Sequence, residues 1–169
     1  MKDDYFKQLH YLGLTARLKR ISDNLLYSAK DLYKSLDMDI EPNWHLVFLM
    51  FKSKDTLTMT EIADAFKLSQ PAIIKMINKM KSKGYLISTR DSDDHRKFLL
   101  KLSEKAKKEL PNLERIFRAG EKTIKDIIAE NESIFDHLTT IESAIAEKDF
   151  KQRMLTHLEN DKKSNSTGL

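Results

Sequence analysis

The sequence predicts a mainly α-helical protein that carries one small β-hairpin. Apolar residues recur every three to four positions over most of the 169 residues, which is the spacing of amphipathic helices. Two neighbouring β-branched, aromatic and leucine-rich runs interrupt this spacing near residues 85–102. With only four glycines and three prolines, the chain has too few turn residues for an all-β fold. An apolar share of 40% is enough to build one core.

The first predicted element is a long helix from about residue 5 to residue 35. Its apolar stripe includes Leu14, Leu18 and Ile21 at steps of three and four. A single helix cannot bury such a stripe on itself, so it needs a partner. We therefore expect residues 1–36 to form an N-terminal dimerisation helix. Packing of the stripe inside a bundle of the same protomer is the alternative.

Three shorter helices are predicted next. The first runs from Trp44 to Phe51 and has an apolar inner face. The second spans Glu61 to Lys67, with Thr60 as its predicted N-cap. The third spans Gln70 to Lys83, with Ser69 in the corresponding N-cap position. The last two helices are joined by a tight turn.

A β-hairpin is predicted directly after these helices. Gly84 ends the preceding helix as a C-cap, and strands are expected at Tyr85–Arg90 and Lys97–Leu102. The residues between the strands are charged and form the tip. Two short helices joined by a tight turn and followed by a hairpin make a winged helix-turn-helix, which we assign to residues 42–110.

The C-terminal third is predicted to be helical and to carry a second exposed stripe. Ser103 caps a long helix that continues through Pro111, and Asn131 caps a last helix. The apolar positions of that last helix follow heptad-like steps: Ile134, Leu138, Ile141 and Ile145. We expect residues 111–159 to form C-terminal dimerisation helices. Residues 160–169 are polar and are expected to be a mobile tail.

The net charge of +4 is distributed unevenly along the chain. Residues 67–108 hold ten lysines and two arginines against four acidic side chains, which gives this segment a net charge of +8. A basic middle indicates a surface that binds a polyanion such as nucleic acid. Because lysine-rich helices are often only solvated faces, a solvated face is the alternative.

The helix at 70–83 has the size that fits the major groove of DNA, which is about 12 Å wide. Its predicted outer face consists of Gln70, Pro71, Ile74, Lys75, Asn78 and Lys79. Gln and Asn can pair with adenine, and Lys can reach guanine or phosphate. Thr60 and Ser69 are expected to place hydroxyls near phosphates. The alternative is the solvated face of a core helix, which the apolar Ile74 fits poorly.

The tip of the hairpin is predicted to contact DNA as well. The candidate residues are Arg90, His95, Arg96 and Lys97. An arginine on a protruding hairpin can enter the minor groove, and Arg96 has that position. We expect Asp91 or Asp94 to pair with Arg90 or Arg96 and to hold the tip rigid. An ordinary solvated turn is the alternative.

Several motifs in this region resemble the MarR-type transcriptional regulators. They are Leu-Thr-Met-Thr-Glu-Ile-Ala at 57–63, Leu-Ser-Gln-Pro-Ala-Ile-Ile-Lys at 68–75, Lys-Gly-Tyr-Leu at 83–86 and Asp-Ser-Asp-Asp-His-Arg-Lys at 91–97. The resemblance implies a homodimer that reads a palindromic site in double-stranded DNA, most often as a ligand-responsive repressor. It also implies that Arg96 enters the minor groove and that Lys75 contacts a base. The effector it implies is a small aromatic or lipophilic molecule, and Tyr11, Trp44, His45 and Phe48 are candidate pocket residues or, equally, core and hinge residues.

Three residues depart from the pattern of that family. Lys67 stands in the inter-helix turn where the family usually has glycine, so a positive φ angle there would strain the backbone. His95 replaces a common arginine, and Ile74 replaces a common small polar residue. The base preference of other family members therefore cannot be transferred to this chain.

Other classes of function have little support in the sequence. The chain has no cysteine, which excludes a disulfide framework and a thiolate zinc site. We expect no cofactor, no metal, no enzymatic activity and no membrane segment, and we expect a cytoplasmic protein. Two alternatives to DNA binding stay open: a helical module whose winged domain binds protein, and a metal- or pH-responsive sensor of the same fold.

Overall fold

A computed structural model describes residues 4–92, 94–95 and 97–166, and describes side chains up to residue 162. The described secondary structure comprises α1 (Tyr5–Gln8), a 3-10 turn (His10–Gly13), α2 (Leu14–Ser35), α3 (Trp44–Met50), α4 (Met59–Phe66), α5 (Gln70–Ser82), β1 (Leu86–Arg90), β2 (Phe98–Leu102), α6 (Glu104–Ile127), α7 (Ser133–Glu147) and α8 (Phe150–Ser166). The predicted fold class, mainly α with one hairpin, is confirmed. The chain divides into two compact units, Met1–Arg115 and Ile116–Leu169.

The hairpin and the helices of the first unit share one core. Strands β1 and β2 are antiparallel, with Leu86 opposite Leu102 and Arg90 opposite Phe98. Leu57, just before α4, forms an isolated bridge with Leu100 and so ties the hairpin to the helical part. The largest fully buried side chains of this core are Val47, Phe48, Leu57, Ile62, Ile73, Ile77, Met80, Tyr85 and Leu113.

Tyr85 contacts residues from several elements of this core. Its ring packs edge-on against Trp44 and Phe48, with centroid distances of 5.7 Å and 5.8 Å. Its hydroxyl donates a hydrogen bond to Glu109 Oε2 at 2.8 Å, so the one polar atom of this buried side chain has a partner. Burial and the neighbouring Glu109 carboxylate raise the pKa of Tyr85. Through these contacts Tyr85, three residues after the end of α5, links α3 and α6.

The prediction of one N-terminal helix over residues 5–35 is wrong, because the helix is interrupted before residue 14. His10 has a φ angle of 45°, outside the helical region. A Cβ atom on Gly13 would lie 2.1 Å from the Phe6 carbonyl oxygen, so only glycine fits this close approach. The short α1 is held against α2 by an ion pair between Arg20 and Asp4, in which Nη1 and Oδ1 are 3.1 Å apart.

Thr58, and not Thr60, is the N-cap of α4. Its hydroxyl accepts a hydrogen bond from the Glu61 N–H, and Glu61 Oε2 accepts one from the Thr58 N–H at 2.7 Å. This reciprocal pair is a capping box. Lys54 and the Thr58 bonds lower the pKa of Glu61 to about 2, so the carboxylate stays charged at neutral pH. Thr60 is an exposed residue of the first turn.

The second unit contains two C-terminal helices where one was predicted. Asp149 starts α8, since its Oδ1 accepts a hydrogen bond from the Gln152 N–H at 2.8 Å. Arg153 donates to the Ala144 and Lys148 carbonyls and so caps the end of α7. The N-cap of α7 is Glu132 rather than Asn131. Residues 160–166 continue α8, and residues 167–169 lie outside the described part, so the mobility of the segment 160–169 stays a prediction.

None of the described helices is long and apolar enough to cross a membrane.

Candidate nucleic-acid interface

The turn between α4 and α5 depends on a lysine in a left-handed conformation. Lys67 is the C-cap of α4, with a φ angle of 50° and a ψ angle of 34°. The positive φ angle for which the sequence analysis expected strain at this non-glycine position is present. An L-residue in this conformation costs roughly 1–2 kcal/mol relative to a right-handed helical one. The turn therefore stores strain at the point that sets the direction of α5.

Helix α5 has one buried face and one exposed face. Ile73, Ile77 and Met80 are 1%, 0% and 0% exposed and anchor the helix in the core. The outer face that the sequence predicted is exposed along its length: Gln70, Pro71, Ile74, Lys75, Asn78 and Lys79. Ile74, 42% exposed, is an apolar side chain on an otherwise polar surface. Because these three residues are buried, the position of the α5 backbone that carries the exposed side chains is fixed.

Helix α5 begins at Gln70, as predicted. Ser69 is the N-cap and has an extended backbone, with φ and ψ angles of −62° and 144°. Its side chain makes no capping bond to any described backbone group, so the hydroxyl is exposed beside the first turn. Free N–H groups at a helix N-terminus attract anions such as phosphate.

The charged tip between β1 and β2 is folded onto its own backbone. The Asp91 N–H donates to the Lys97 carbonyl at 3.1 Å, and Asp91 Oδ1 accepts from the Asp94 N–H at 3.2 Å. His95 Nδ1 lies 3.2 Å from the Asp91 carbonyl oxygen. Lys97 Nζ lies 3.6 Å from an Asp94 carboxylate oxygen. The carboxylates of Asp91 and Asp94 therefore bind groups within the tip, which makes the turn more rigid.

Two tip predictions have different outcomes. Arg96 lies outside the described residues, and so does its expected pairing with Asp91 or Asp94. The Arg90 guanidinium lies over the exposed ring of Phe98, its partner on β2, 5.8 Å from the centroid in a cation–π contact. His95 and Lys97 are exposed at the tip, as a contact with DNA requires.

The lysines of α5 differ in their partners. Lys79 Nζ lies 2.7 Å from Glu41 Oε1, and Lys83 Nζ lies 2.9 Å from Asp39 Oδ2. Among the described residues, Lys75 forms no ion pair, so its charge is available to an external anion. Asp39 and Glu41 were not among the predicted site residues. Their signal in the sequence is the acidic connector between α2 and α3.

The four residues proposed for an effector pocket do not form one surface. Trp44 and Phe48 are 2% and 1% exposed and belong to the core around Tyr85. His45 is half-buried, and burial lowers its pKa. Tyr11 is 95% exposed. An open cavity of about 630 Å³ lies elsewhere, within the second unit, lined by Glu121, Ile124, Lys125, Ile128, Glu130, Glu132 and Phe135.

The described residues contain no cluster of three or more His, Asp or Glu side chains that could hold a metal ion.

Comparison with known families identifies the winged segment. A family model described as MarR family matches residues 38–97, from the connector before α3 to the end of the tip. Residues 38–97 form a MarR-family domain. The resemblance read from the sequence motifs is thereby confirmed. In this segment α4 and α5 are the helix-turn-helix and β1 is the first strand of the wing, whose second strand, β2, follows directly after the matched residues.

Solved structures of MarR-type regulators share the fold. The S. aureus MepR–DNA complex has 22% identity and a TM-score of 0.66, over 77% of this chain and 96% of MepR. The transcriptional regulator SlyA has 14% identity and a TM-score of 0.65, over 80% and 96% of the two chains. A mutant MarR from E. coli, complexed with operator DNA, has 19% identity and a TM-score of 0.58, over 86% and 98%. At these identities the likeness establishes the fold alone. No curated protein sequence matches the chain significantly.

Proposed function

We propose that this protein is a sequence-specific, double-stranded-DNA-binding transcriptional regulator. The observation that carries the proposal is the outer face of α5, where Ile74 is 42% exposed beside Lys75, a lysine without a described ion pair. An apolar side chain in such a row can contact a thymine methyl group, and the lysine can reach guanine or phosphate. In this proposal α5 occupies the major groove and the wing, with Arg96, follows the adjacent minor groove.

The structural neighbours support this proposal. The MepR structure is a DNA complex, and the mutant MarR structure holds operator DNA. Both have the fold of this chain, so the same docking of a recognition helix is available to α5. We assign residues 42–110 to the DNA-reading domain on this basis.

We extend the proposal to a homodimer that reads a palindromic site. Leu14, Leu18 and Ile21 on α2 are 43%, 42% and 52% exposed. The stripe on α7 is exposed to a similar degree, from 37% to 54%: Ile134, Leu138, Ile141 and Ile145. Contiguous apolar surfaces on a monomer mark interaction sites. In this proposal residues 1–36 and 111–159 form the two-fold dimer, and a palindromic site requires its two copies of α5 to lie about 34 Å apart, one turn of DNA.

The regulatory direction follows the resemblance to the family. We propose a repressor that a small aromatic or lipophilic effector releases from DNA. Of the candidate pocket residues, His45 is half-buried, whereas Trp44 and Phe48 are held in the core. Effector binding at these residues would require the core around Tyr85 to open, which predicts slow binding.

A DNA titration tests the proposed function. Fluorescence anisotropy with random-sequence duplexes at two salt concentrations should show binding that weakens steeply with salt, because phosphate contacts release counterions. Fragments selected from the host genome should bind more tightly than random duplexes. Absence of binding at low salt would refute the proposal and favour a winged domain that binds protein.

Two substitutions test the site. Lys75→Ala should weaken specific binding by about 1–3 kcal/mol and relax specificity if Lys75 contacts a base, and Arg96→Ala should weaken it as well. Lys151→Ala, which removes an exposed lysine from α8, is the matched control and should leave affinity unchanged. If both site variants bound like the unmodified protein, the assignment of the interface would be wrong.

A further inference from the structure

The connector between α2 and α3 places two carboxylates beside α5. Glu41 accepts from the Lys79 ammonium at 2.7 Å, and Asp39 lies 2.9 Å from the Lys83 ammonium near the end of the helix. Lys79 belongs to the outer face of α5, so this pair bears directly on the candidate interface. The residues are 38 positions apart in the chain.

The connector is fixed at both ends, so Glu41 is positioned rather than free to move away. At the end of α2 the Met38 N–H donates to the Tyr33 carbonyl at 2.9 Å, and Asp37 has a φ angle of 53°. Ile40, next to Glu41, is 5% exposed and anchors the connector in the core. The Glu41 carbonyl then accepts from the Trp44 N–H at 3.2 Å and closes the turn into α3.

The ion pair remains open to water and to competitors. The side chains of Lys79 and Glu41 are 47% and 31% exposed. A DNA phosphate that approaches Lys79 must therefore compete with the Glu41 carboxylate for its ammonium group. After the exchange the carboxylate stays close to the phosphate, where like charges repel or recruit a cation.

We propose that Glu41 is a positioning residue that lowers the affinity of this protein for DNA by occupying Lys79. The proposal rests on the proposed function, because it takes α5 as the DNA-reading helix. Because a phosphate contact by Lys79 does not depend on the base sequence, Glu41 keeps non-specific binding weak and lowers specific affinity by the same factor. Lys75, without a described acidic partner, contributes its full charge to every DNA sequence.

The expected effect on affinity is modest. Exposed ion pairs of this kind change equilibria by about two- to fivefold. Glu41→Gln should tighten binding to a random-sequence duplex by that factor for each half-site, and a dimer multiplies the two factors. The slope of log K against log salt should also steepen, by up to about 0.9 per half-site, because no cation is recruited to residue 41.

The test is a double-mutant cycle on one duplex, with anisotropy titrations at several salt concentrations. The variants are Glu41→Gln, Lys79→Gln and the double variant. Asp23→Asn is the matched control, because it removes one negative charge from an exposed pair, with Lys19, on α2. Thermal unfolding of each variant checks that the fold is intact. Glu41→Gln and Asp23→Asn also preserve the shape of the side chains that they replace.

The proposal expects tighter binding by Glu41→Gln, no such gain by Asp23→Asn, and a much smaller gain from Glu41→Gln in the Lys79→Gln background, where only the repulsion between Glu41 and the phosphate is relieved. Equal gains from Glu41→Gln with and without Lys79 would overturn it, since Glu41 would then act through net charge alone. Unchanged or weaker binding by Glu41→Gln would overturn it as well. Failure of the unmodified protein to bind any duplex would instead refute the proposed function.

Discussion

The winged part of the first unit and helix α7 of the second unit place their apolar residues in opposite environments. In the first unit Val47, Ile62 and Ile77 are 0% exposed, and a closed core surrounds Tyr85. In the second unit none of the described side chains of α7 is buried, and Ile145 is 54% exposed. Helices stabilise one another by burying apolar faces, so a unit that leaves them exposed is incomplete by itself. The winged part of the first unit has the interior of a folded domain, whereas α7, like the stripe on α2, leaves an apolar surface that a partner could cover.

The largest expected effect is in the core of the first unit. Ile77→Ala removes buried methyl groups from the inner face of α5 and should lower the free energy of unfolding by about 2–5 kcal/mol. Urea unfolding monitored by circular dichroism measures it. The loss should be equal at every protein concentration, because the cavity lies within one protomer. A loss below about 1 kcal/mol would mean that α5 is not anchored by this core.

A substitution in α7 should act on association rather than on the fold of a protomer. Ile141→Ala should weaken dimerisation by about 1–3 kcal/mol for each copy, as expected when an isoleucine is no longer buried on assembly. Sedimentation equilibrium measures the dissociation constant. Ser143→Ala, on the face of α7 opposite the stripe, is the control and should leave it unchanged. A monomeric unmodified protein would contradict the comparison between the units.

The sequence predicted best those parts of the first unit that local signals determine. The start of α5 at Gln70, after Ser69, and the positive φ at Lys67 each depend on a few neighbouring residues. Two local signals were read incorrectly. Thr58 with Glu61, and Asp149 with Gln152, are both pairs three residues apart that mark a helix start.

Other features depend on contacts that no local pattern encodes. The break before α2 arises because the Phe6 carbonyl approaches Gly13, and side-chain periodicity carries no information about backbone approach. The pairing of Glu41 with Lys79 joins residues from different elements, so the sequence could not show which lysine of α5 has an acidic partner. Burial of Trp44 and exposure of Tyr11 separate two residues that the resemblance had grouped.

The smallest expected effect concerns the strained turn before α5. Lys67→Gly should raise the free energy of unfolding by about 0.5–1 kcal/mol. Glycine adopts positive φ without the steric cost of an L-residue, and its greater conformational entropy in the unfolded state offsets part of this gain. Gly84→Ala is the reciprocal control: Gly84 has a φ angle of 76°, and an added Cβ would meet only Lys105 Cδ at 3.8 Å, so conformational strain alone should lower stability. Both changes are measurable by thermal unfolding. If Lys67→Gly lowered stability while Gly84→Ala also did, the aliphatic stem of Lys67 would be contributing packing that outweighs the strain, and the direction of α5 would depend on that contact instead of on the backbone.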